Sequence, residues 1–345
     1  MSELVGAVLT RPQVDRAEAR AILERRWAIT GELRFLPSER DRNYAVSVDG
    51  LDRFVLKLSN ATEDPAFIDL QQKAMERLVA AGIPCQVPVI SIDGREVLDV
   101  GRDGTPTLAR LLTWLPGRPM ATVPPADRSP ELLHDLGRMV GRATTALGTS
   151  GTFDHPAAHR EFQWEPERGL AVIAAHAPAV SEPGKAALLA RWIERLGALG
   201  EALPVLRHGV IHNDANDHNV LVDDDARSVV GLLDFGDAVH TVVVNDLAVA
   251  AAYSAFDVDD PLAVIAAVRA GFEETCPLRA DERAVVVEVV ALRLATSVAL
   301  SAHQSVLDPT DSYLTVSETQ AWTLLDRLIA IDPATAAARI ATDER

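Results

Sequence analysis

The chain has 345 residues, 48% of them apolar, and carries 50 acidic against 33 basic side chains for a net charge of -17. That length supports one large or two modest domains with a sizeable core, and the apolar share is too high for a disordered chain. The negative field argues against nucleic acid and anionic membrane as partners and favours a small cationic one; a nucleotide needs local Arg, Lys or metal to offset it.

Cys85 and Cys276 lie far apart in sequence and imply neither a disulfide framework nor a thiolate metal site. Met1-Ser2-Glu3-Leu4 lacks the basic start and apolar run of a signal peptide. The most apolar window, residues 284–302, is interrupted by Glu288 and Arg293 and reads as a buried helix rather than a membrane span. A reducing, cytoplasmic setting is expected.

Residues 14–27 carry Ala, Leu and charged residues at helical spacing. Residues 32–35, 44–48 and 53–58 alternate as strands joined by the polar turn 36–43 and by Gly50-Leu51-Asp52, which makes an antiparallel meander. The turn has no glycine-rich phosphate fingerprint, yet Ser38 and the backbone amides beside it can donate to phosphate. Lys57 is more telling. It is one of only three lysines, against thirty arginines, and it lies inside the apolar run Phe54-Val55-Leu56-Lys57-Leu58. Burying an ammonium is costly unless it meets an anion, and its compact charge suits nucleotide phosphates.

A helix is expected from Asp64-Pro65 to about residue 80, with Phe67, Leu70, Ala74 and Leu78 on one stripe and Gly82-Ile83-Pro84 as its stop. Residues 87–90 and 96–100 read as strands around Asp93-Gly94, and 108–115 as another. Residues 116–129 hold several prolines and read as an interdomain loop, so residues 1–115 and 116–345 are expected to form separate domains. Beyond it helical periodicity covers 131–147, 184–203, 246–255, 261–272, 281–303 and 317–331. Trp164, Leu170 and Val172 read as packing between the first two of these helices. His155, His159 and His176 have no metal-ligand spacing. The tail 333–345 reads as exposed and like the start of a linker, which leaves room for further domains of a longer chain.

The most informative stretch runs through Val210-Ile211-His212-Asn213-Asp214, Asn219 and Val220-Leu221-Val222 to Asp234-Phe235-Gly236-Asp237. Stiff β-branched runs flank polar loops and fix their charged groups in space. Asp223-Asp224-Asp225 is a turn signal, so a hairpin is expected there, with Asp234 directly after its second strand. One carboxylate to orient a hydroxyl, with an amide and a second carboxylate to hold a hard divalent cation such as Mg²⁺, is a set that phosphoryl transfer uses.

His212-Asn213-Asp214, Asn219 and Asp234-Phe235-Gly236 resemble the catalytic and metal-binding pattern of the aminoglycoside phosphotransferase-like (choline kinase-like) family, relatives of the protein kinases. That pattern is His-Gly-Asp, four residues, Asn, then a strand ending in Asp-Phe-Gly. Gly236-Asp237, the run Asp246-Leu247-Ala248 and Leu36-Pro37-Ser38 resemble the hydroxylysine-kinase-like branch. They also resemble the kinase-like domain fused to class III aminotransferases. The resemblance covers roughly residues 25–330. Asn213 departs from it by standing where glycine is usual; Asn tolerates left-handed geometry, so it reads as a variant.

The resemblance implies an α+β, protein-kinase-like fold of two lobes, a small antiparallel-sheet N-lobe over 1–115 and a mainly helical C-lobe over 116–345. It implies Mg²⁺ and ATP or GTP as cofactors. Lys57 would meet the α- and β-phosphates, Ser38 would sit in the covering loop, and Leu111, Leu112 and Thr113 would form the adenine hinge. Asn219 and Asp234 would hold Mg²⁺, and Asp214 would receive the substrate hydroxyl. Gln71 matches the position of the usual Glu partner of the lysine, with Asp69 and Glu76 open if the helix phase differs. His212 reads as loop support, and Phe235 as packing under the metal site. Asp246 can cap its helix; in the resembled fold it braces the catalytic loop. Asp217 and Asp237 offer carboxylates to an amine beside the reacting hydroxyl. If the substrate is an amino acid, Arg40, Arg42 or Arg118 is available to its carboxylate. The implied activity is transfer of a γ-phosphate to the hydroxyl of a small amino alcohol or hydroxy amino acid, such as hydroxylysine, ethanolamine or homoserine. Aminoglycoside phosphorylation and a non-catalytic nucleotide-binding or regulatory domain of a larger protein are the alternatives. The partner expected is that small hydroxylated amine.

Overall fold

The computed structural model describes residues 12–341 apart from 39–40, 60–62, 102–105, 150, 152 and 308–316. The chain forms two compact units. One runs to Val79 and resumes over Pro84–Pro116; the other holds Ala80–Ile83 and everything from Gly117 onward.

In the first unit, helix α1 (Arg16–Trp27) starts at Asp15, whose carboxylate accepts the Glu18 N–H at 2.8 Å. Strands β1 (Glu32–Leu36), β2 (Arg42–Val48) and β3 (Leu51–Ser59) form the antiparallel meander. Helix α2 (Pro65–Ala80) follows, then β4 (Leu98–Asp99) and β5 (Leu108–Thr113), which complete a five-stranded sheet in the order β1-β2-β3-β5-β4. Strand alternation sorts the side chains. Tyr44, Leu56, Leu58 and Leu111 join Ile22, Leu23 and Trp27 of α1 in one core cluster. Lys57 and Arg110, paired directly across β3 and β5, belong to the opposite face.

Two expected strands are curtailed. Residues 87–90 make only a bridge, Pro88 to Leu112, with the Val89 N–H on Leu111 O and the Thr113 N–H on Val87 O. Pro88 has no N–H with which to extend a ladder. The strand expected over 96–100 shrinks to β4 because the Asp99 carboxylate accepts from Gly101 N at 2.9 Å and turns the chain.

The second unit opens with β6 (Arg118–Pro119) and helix α3 (Pro130–Thr144), capped by Ser129 with Pro130 in its first turn. Helices α4 (Pro166–His176), α5 (Pro183–Leu196) and α6 (Leu199–Ala202) precede four short strands: β7 (His208–Ile211), β8 (Val220–Val222), β9 (Val229–Leu232) and β10 (Val239–Val242). Helices α7 (Val244–Ser254), α8 (Pro261–Glu273), α9 (Ala280–Ala284), α10 (Val286–Leu307), α11 (Glu318–Ile329) and α12 (Pro333–Ala341) finish it. Helices α3 and α8 cross with their backbones in contact. A Cβ on Gly137 would stand 1.8 Å from Val268 O, and one on Gly271 would stand 1.8 Å from His134 O. Helix α10 is long and apolar enough to cross a membrane by composition, but 72% of its most apolar window is buried within the protein.

Several elements depart from the sequence reading. Residues 166–176 are a helix, started by Pro166 and buried through Val172 and Ile173, not a connecting segment. The helix expected to reach residue 203 ends at Leu196, beyond which Gly197 leads into α6. The helix expected over 281–303 is divided at Val285. Strand β10 was not anticipated; it pairs with β7. The tail is not exposed throughout, since α12 buries Ala336 and Ile340.

Candidate active site

Two strand pairs build the site in the second unit. Ile211 of β7 pairs with Val239 of β10, and Val220 of β8 pairs with Leu232 of β9. The Leu233 N–H donates to Asn219 O at 2.7 Å and extends the second pair by one step. Segments 212–219 and 233–238 are therefore pinned at both ends by the same strands.

The first segment is held from beneath. Asn213 is left-handed (φ 66°) and fully buried. Its side-chain oxygen accepts from Asn245 Nδ2 at 2.6 Å, so a local amide pair supports an Asn where glycine is usual. Asp246 lies inside α7 rather than capping it. Its Oδ1 accepts the Asn213 N–H at 2.7 Å, and its Oδ2 accepts the His212 N–H at 3.3 Å and the Thr144 hydroxyl at 2.8 Å. Burial raises the Asp246 pKa, against the opposing pull of His212 and these hydrogen bonds. The His212 ring is buried, and burial lowers its pKa. Its Nδ1 accepts the Asp214 N–H at 3.2 Å, which assigns the ring proton to Nε2, 2.9 Å from Leu233 O. Phe235 packs edge-on against the same ring at 4.8 Å. His212 thus ties the two segments together.

Asp214 is the most constrained side chain in the site. Its Oδ1 accepts from Arg293 Nη2 at 2.9 Å and from Asn216 Nδ2 at 3.0 Å; its Oδ2 accepts from Asn219 Nδ2 at 2.8 Å. A carboxylate oxygen takes about two such bonds, so one acceptor place is left, on Oδ2. Burial first, then the Asp237 charge, push the Asp214 pKa up to about 8; Arg293 and the Asn216 bond pull the other way, and Asp234 adds to the rise. Asp234, left-handed at φ 56°, turns the chain, and its Oδ1 accepts the Gly236 N–H at 3.1 Å. Arg160 donates to Gly236 O at 2.7 Å from the side of α4.

The donor set suits a hard cation. The amide nitrogen of Asn219 is committed to Asp214, by Oδ2 and by the backbone oxygen at 3.0 Å, while its Oδ1 meets no donor among the described residues. That oxygen and the Asp234 carboxylate are Mg²⁺-type ligands, and Mg²⁺ commonly takes only one or two side chains and fills its shell with water and phosphate. No cluster of three or more His, Cys, Asp or Glu suited to a metal occurs among the described residues.

In the first unit Lys57 is buried, 7% exposed, between Asn43 on β2 and Arg110 on β5. Gln71 of α2 is also buried, but its side-chain oxygen accepts from Arg110 Nη2 at 2.5 Å. The amide expected to serve the lysine thus serves the lysine's cross-strand neighbour. Thr113 is fully engaged within the sheet: its N–H donates to Val87 O, its hydroxyl accepts the Val87 N–H, and its carbonyl accepts from Gln86. Leu112 is buried beside it. Ser38 closes its turn by accepting the Asp41 N–H at 3.3 Å.

Three candidates for substrate contacts are occupied elsewhere. Asp217 binds Arg128 at 3.1 Å with both side chains nearly buried, which makes it a loop anchor. Arg118 donates to Thr122 and Asp224 O, and Arg42 donates to Pro12 O. Arg40 lies outside the described residues. Sequence reasoning missed Arg293, Arg128 and Asn216. Only Arg293 left a signal, as a charge in the middle of an apolar helix.

The sequence model of the "Phosphotransferase enzyme family" matches residues 32–284. A hydroxylysine kinase of Bos taurus is 28% identical over 347 residues, a match spanning 93% of this chain and 90% of its own length. Among solved structures, a microcompartment-associated aminopropanol kinase superposes with a TM-score of 0.69 at 18% identity, over 94% of this chain and 100% of that one. An amicoumacin kinase in complex with AMP-PNP, Ca²⁺ and Ami does so with a TM-score of 0.66 at 17% identity, over 88% and 91%. The fold is thus α+β and kinase-like, with two lobes, a small antiparallel-sheet N-lobe and a mostly helical C-lobe.

Proposed function

This chain belongs to the phosphotransferase enzyme family, and from that premise we propose that it transfers the γ-phosphate of ATP or GTP, with Mg²⁺, to the hydroxyl of a small amino alcohol or hydroxy amino acid. The observation that carries this reading is Asp214, a carboxylate clamped by three side chains with one acceptor place left on Oδ2. A substrate hydroxyl donating to Oδ2 has its oxygen lone pair aimed away from Asp214. As that oxygen bonds to phosphorus and the bond to the leaving phosphate oxygen breaks, Oδ2 takes the proton. Most of the acceleration comes from positioning and electrostatics.

Asn219 Oδ1 and Asp234 are the residues to hold Mg²⁺, which supplies charge compensation to phosphate oxygens when bound. Lys57 in the first unit is assigned to phosphate, and its burial in an apolar strand supports that role. Asp237, close enough to Asp214 to raise its pKa, provides negative charge for an amine beside the reacting hydroxyl. The similarity to hydroxylysine kinases along nearly the whole chain, and to the fold of an aminopropanol kinase, supports this substrate class.

The test is nucleoside-triphosphate consumption with Mg²⁺ across amino alcohols, hydroxy amino acids and aminoglycosides. Consumption stimulated by one hydroxylated amine is expected, with Asp214→Asn slower by about 10²- to 10⁴-fold. Stimulation by aminoglycosides alone, or equal turnover by Asp214→Asn, would overturn the reading.

A further inference from the structure

Arg293 is placed where an arginine is expensive. Its neighbours on α10, Val289, Val290, Leu292 and Leu294, are all buried, and Arg293 itself is only 6% exposed. A buried guanidinium persists when anions and acceptors engage it. The Asp214 bond engages one of its three nitrogens. Nε and Nη1 are buried and meet no acceptor among the described residues, while the Tyr253 hydroxyl and the Asp237 charge also act on the guanidinium. Arg128, in the same unit, makes the contrast: its Nε, Nη1 and Nη2 all donate, to Val123 O, Tyr253 O, Met120 O and Asp217. A single ion pair to Asp214 asks only for a point charge. A planar fork with donors to spare is the group that recognises carboxylates.

Two aromatic rings fix the plane of that fork. The Arg293 Cζ lies 4.3 Å from the Trp164 ring centroid and 5.8 Å from that of Tyr253. Both rings belong to half-buried residues, so admitting a ligand asks for rotation of a side chain, not unfolding of α10. Because Arg293 and Asp214 are bonded to each other, a carboxylate on one and a hydroxyl on the other fall within the reach of one small molecule. Of the arginines that the sequence offered for a substrate carboxylate and that the structure describes, Arg118 is held by Thr122 and Asp224 O, and Arg42, in the first unit, gives Nε to Pro12 O and lies over the Phe35 ring. Arg293 also lies beyond residue 284, where the family match ends.

We infer that Arg293 is a carboxylate subsite, and that the acceptor is accordingly a hydroxy amino acid rather than an amino alcohol. This rests on the phosphotransfer reading above. The subsite holds the acid end of the substrate through Nη1 and Nε, while Asp214 takes the hydroxyl and the acidic residues around it receive the ammonium.

The experiment uses matched pairs that differ only by the carboxylate: homoserine with 3-amino-1-propanol, and threonine with 1-amino-2-propanol. The full chain is assayed with Mg²⁺ and ATP, and the readout is the ratio of kcat/KM, acid over amino alcohol. The wild type is expected to favour the acid. Arg293→Gln is expected to collapse the ratio by about 10- to 100-fold, mainly through KM, whatever it does to absolute rates, and Arg293→Lys to fall between. A ratio unchanged in Arg293→Gln while both rates fall together would overturn the subsite and leave Arg293 as a positioning residue for Asp214. A binding arm separates the two readings. Calorimetry with 2-aminobutyrate and propylamine, which lack the hydroxyl, is run on wild type and on Arg293→Lys and Arg293→Gln proteins that melt like wild type. Binding of 2-aminobutyrate that weakens in the variants supports the subsite even if no phosphate is transferred, in which case only the transfer reading fails. Equal binding in wild type and variants overturns the subsite whatever the turnover.

Discussion

Replacing Asp246 by Asn tests how the catalytic loop is held. The carboxylate accepts three bonds, from Asn213 N on Oδ1 and from His212 N and Thr144 Oγ1 on Oδ2. An amide has one oxygen. Setting it on the Oδ2 side keeps two bonds and turns an NH₂ toward the Asn213 N–H; the opposite setting leaves the His212 N–H unmatched, since the Thr144 hydroxyl can donate to Val140 O at 2.9 Å and accept from the NH₂. Either setting costs about 1–3 kcal/mol for the orphaned backbone donor. Losing a carboxylate whose pKa burial already raises returns part of that cost. The net expectation is a loss of about 1–2 kcal/mol in urea denaturation at pH 7. The bond that goes is the one on His212 or the one on Asn213, the two residues directly before Asp214, so kcat should fall more than nucleotide affinity. Thr144→Val removes only one of the three bonds and should cost about 1 kcal/mol. An Asp246→Asn protein with unchanged stability and full turnover would refute the argument that this carboxylate holds the loop.

Gly271→Ala should cost about 3 kcal/mol or more in thermal or urea unfolding, because the added Cβ meets a backbone oxygen that only separation of α3 from α8 can relieve. Asp217→Asn should lower stability by breaking a nearly buried pair with Arg128, while leaving KM for the amine substrate within about twofold; a large rise in KM would restore Asp217 to the substrate site. Glu273 contributes to acid sensitivity. Burial disfavours its charge, but bonds from Arg283 and Arg269 outweigh that and set its pKa below the ordinary 4.5. A lowered folded pKa gives stability that is present above the unfolded value and lost as pH falls through the folded one. The deficit of Glu273→Gln against wild type should therefore shrink between pH 7 and pH 3.

The parts of the site that local sequence determines were readable. Asp214, Asn219 and Asp234 sit in one polar pattern between β-branched runs, and the hairpin at Asp223-Asp224-Asp225 follows from turn chemistry. Asn213 was read correctly as able to hold left-handed geometry, though its amide partner Asn245 was not foreseen. What local pattern cannot supply is the identity of partners 79 or 89 residues away, such as Arg293 for Asp214 and Arg128 for Asp217. Gln71 shows the same limit: the resemblance placed it opposite Lys57, but its side-chain oxygen accepts from Arg110, the lysine's neighbour across the sheet. Strand β10 and helix α4 escaped for a different reason. Each is short and interrupted by polar residues, and each exists because a neighbour, β7 or α10, offers it a surface to bury against.

The central claim is that Asp214 delivers a hydroxyl to the γ-phosphorus. ³¹P NMR of the full chain with ATP, Mg²⁺ and homoserine or hydroxylysine tests it directly. The expected result is loss of the γ-phosphate signal matched by growth of a phosphomonoester resonance coupled to the protons of the acceptor carbon, absent with Asp214→Asn. Growth of inorganic phosphate alone, or a phosphomonoester formed equally by Asp214→Asn, would contradict the account.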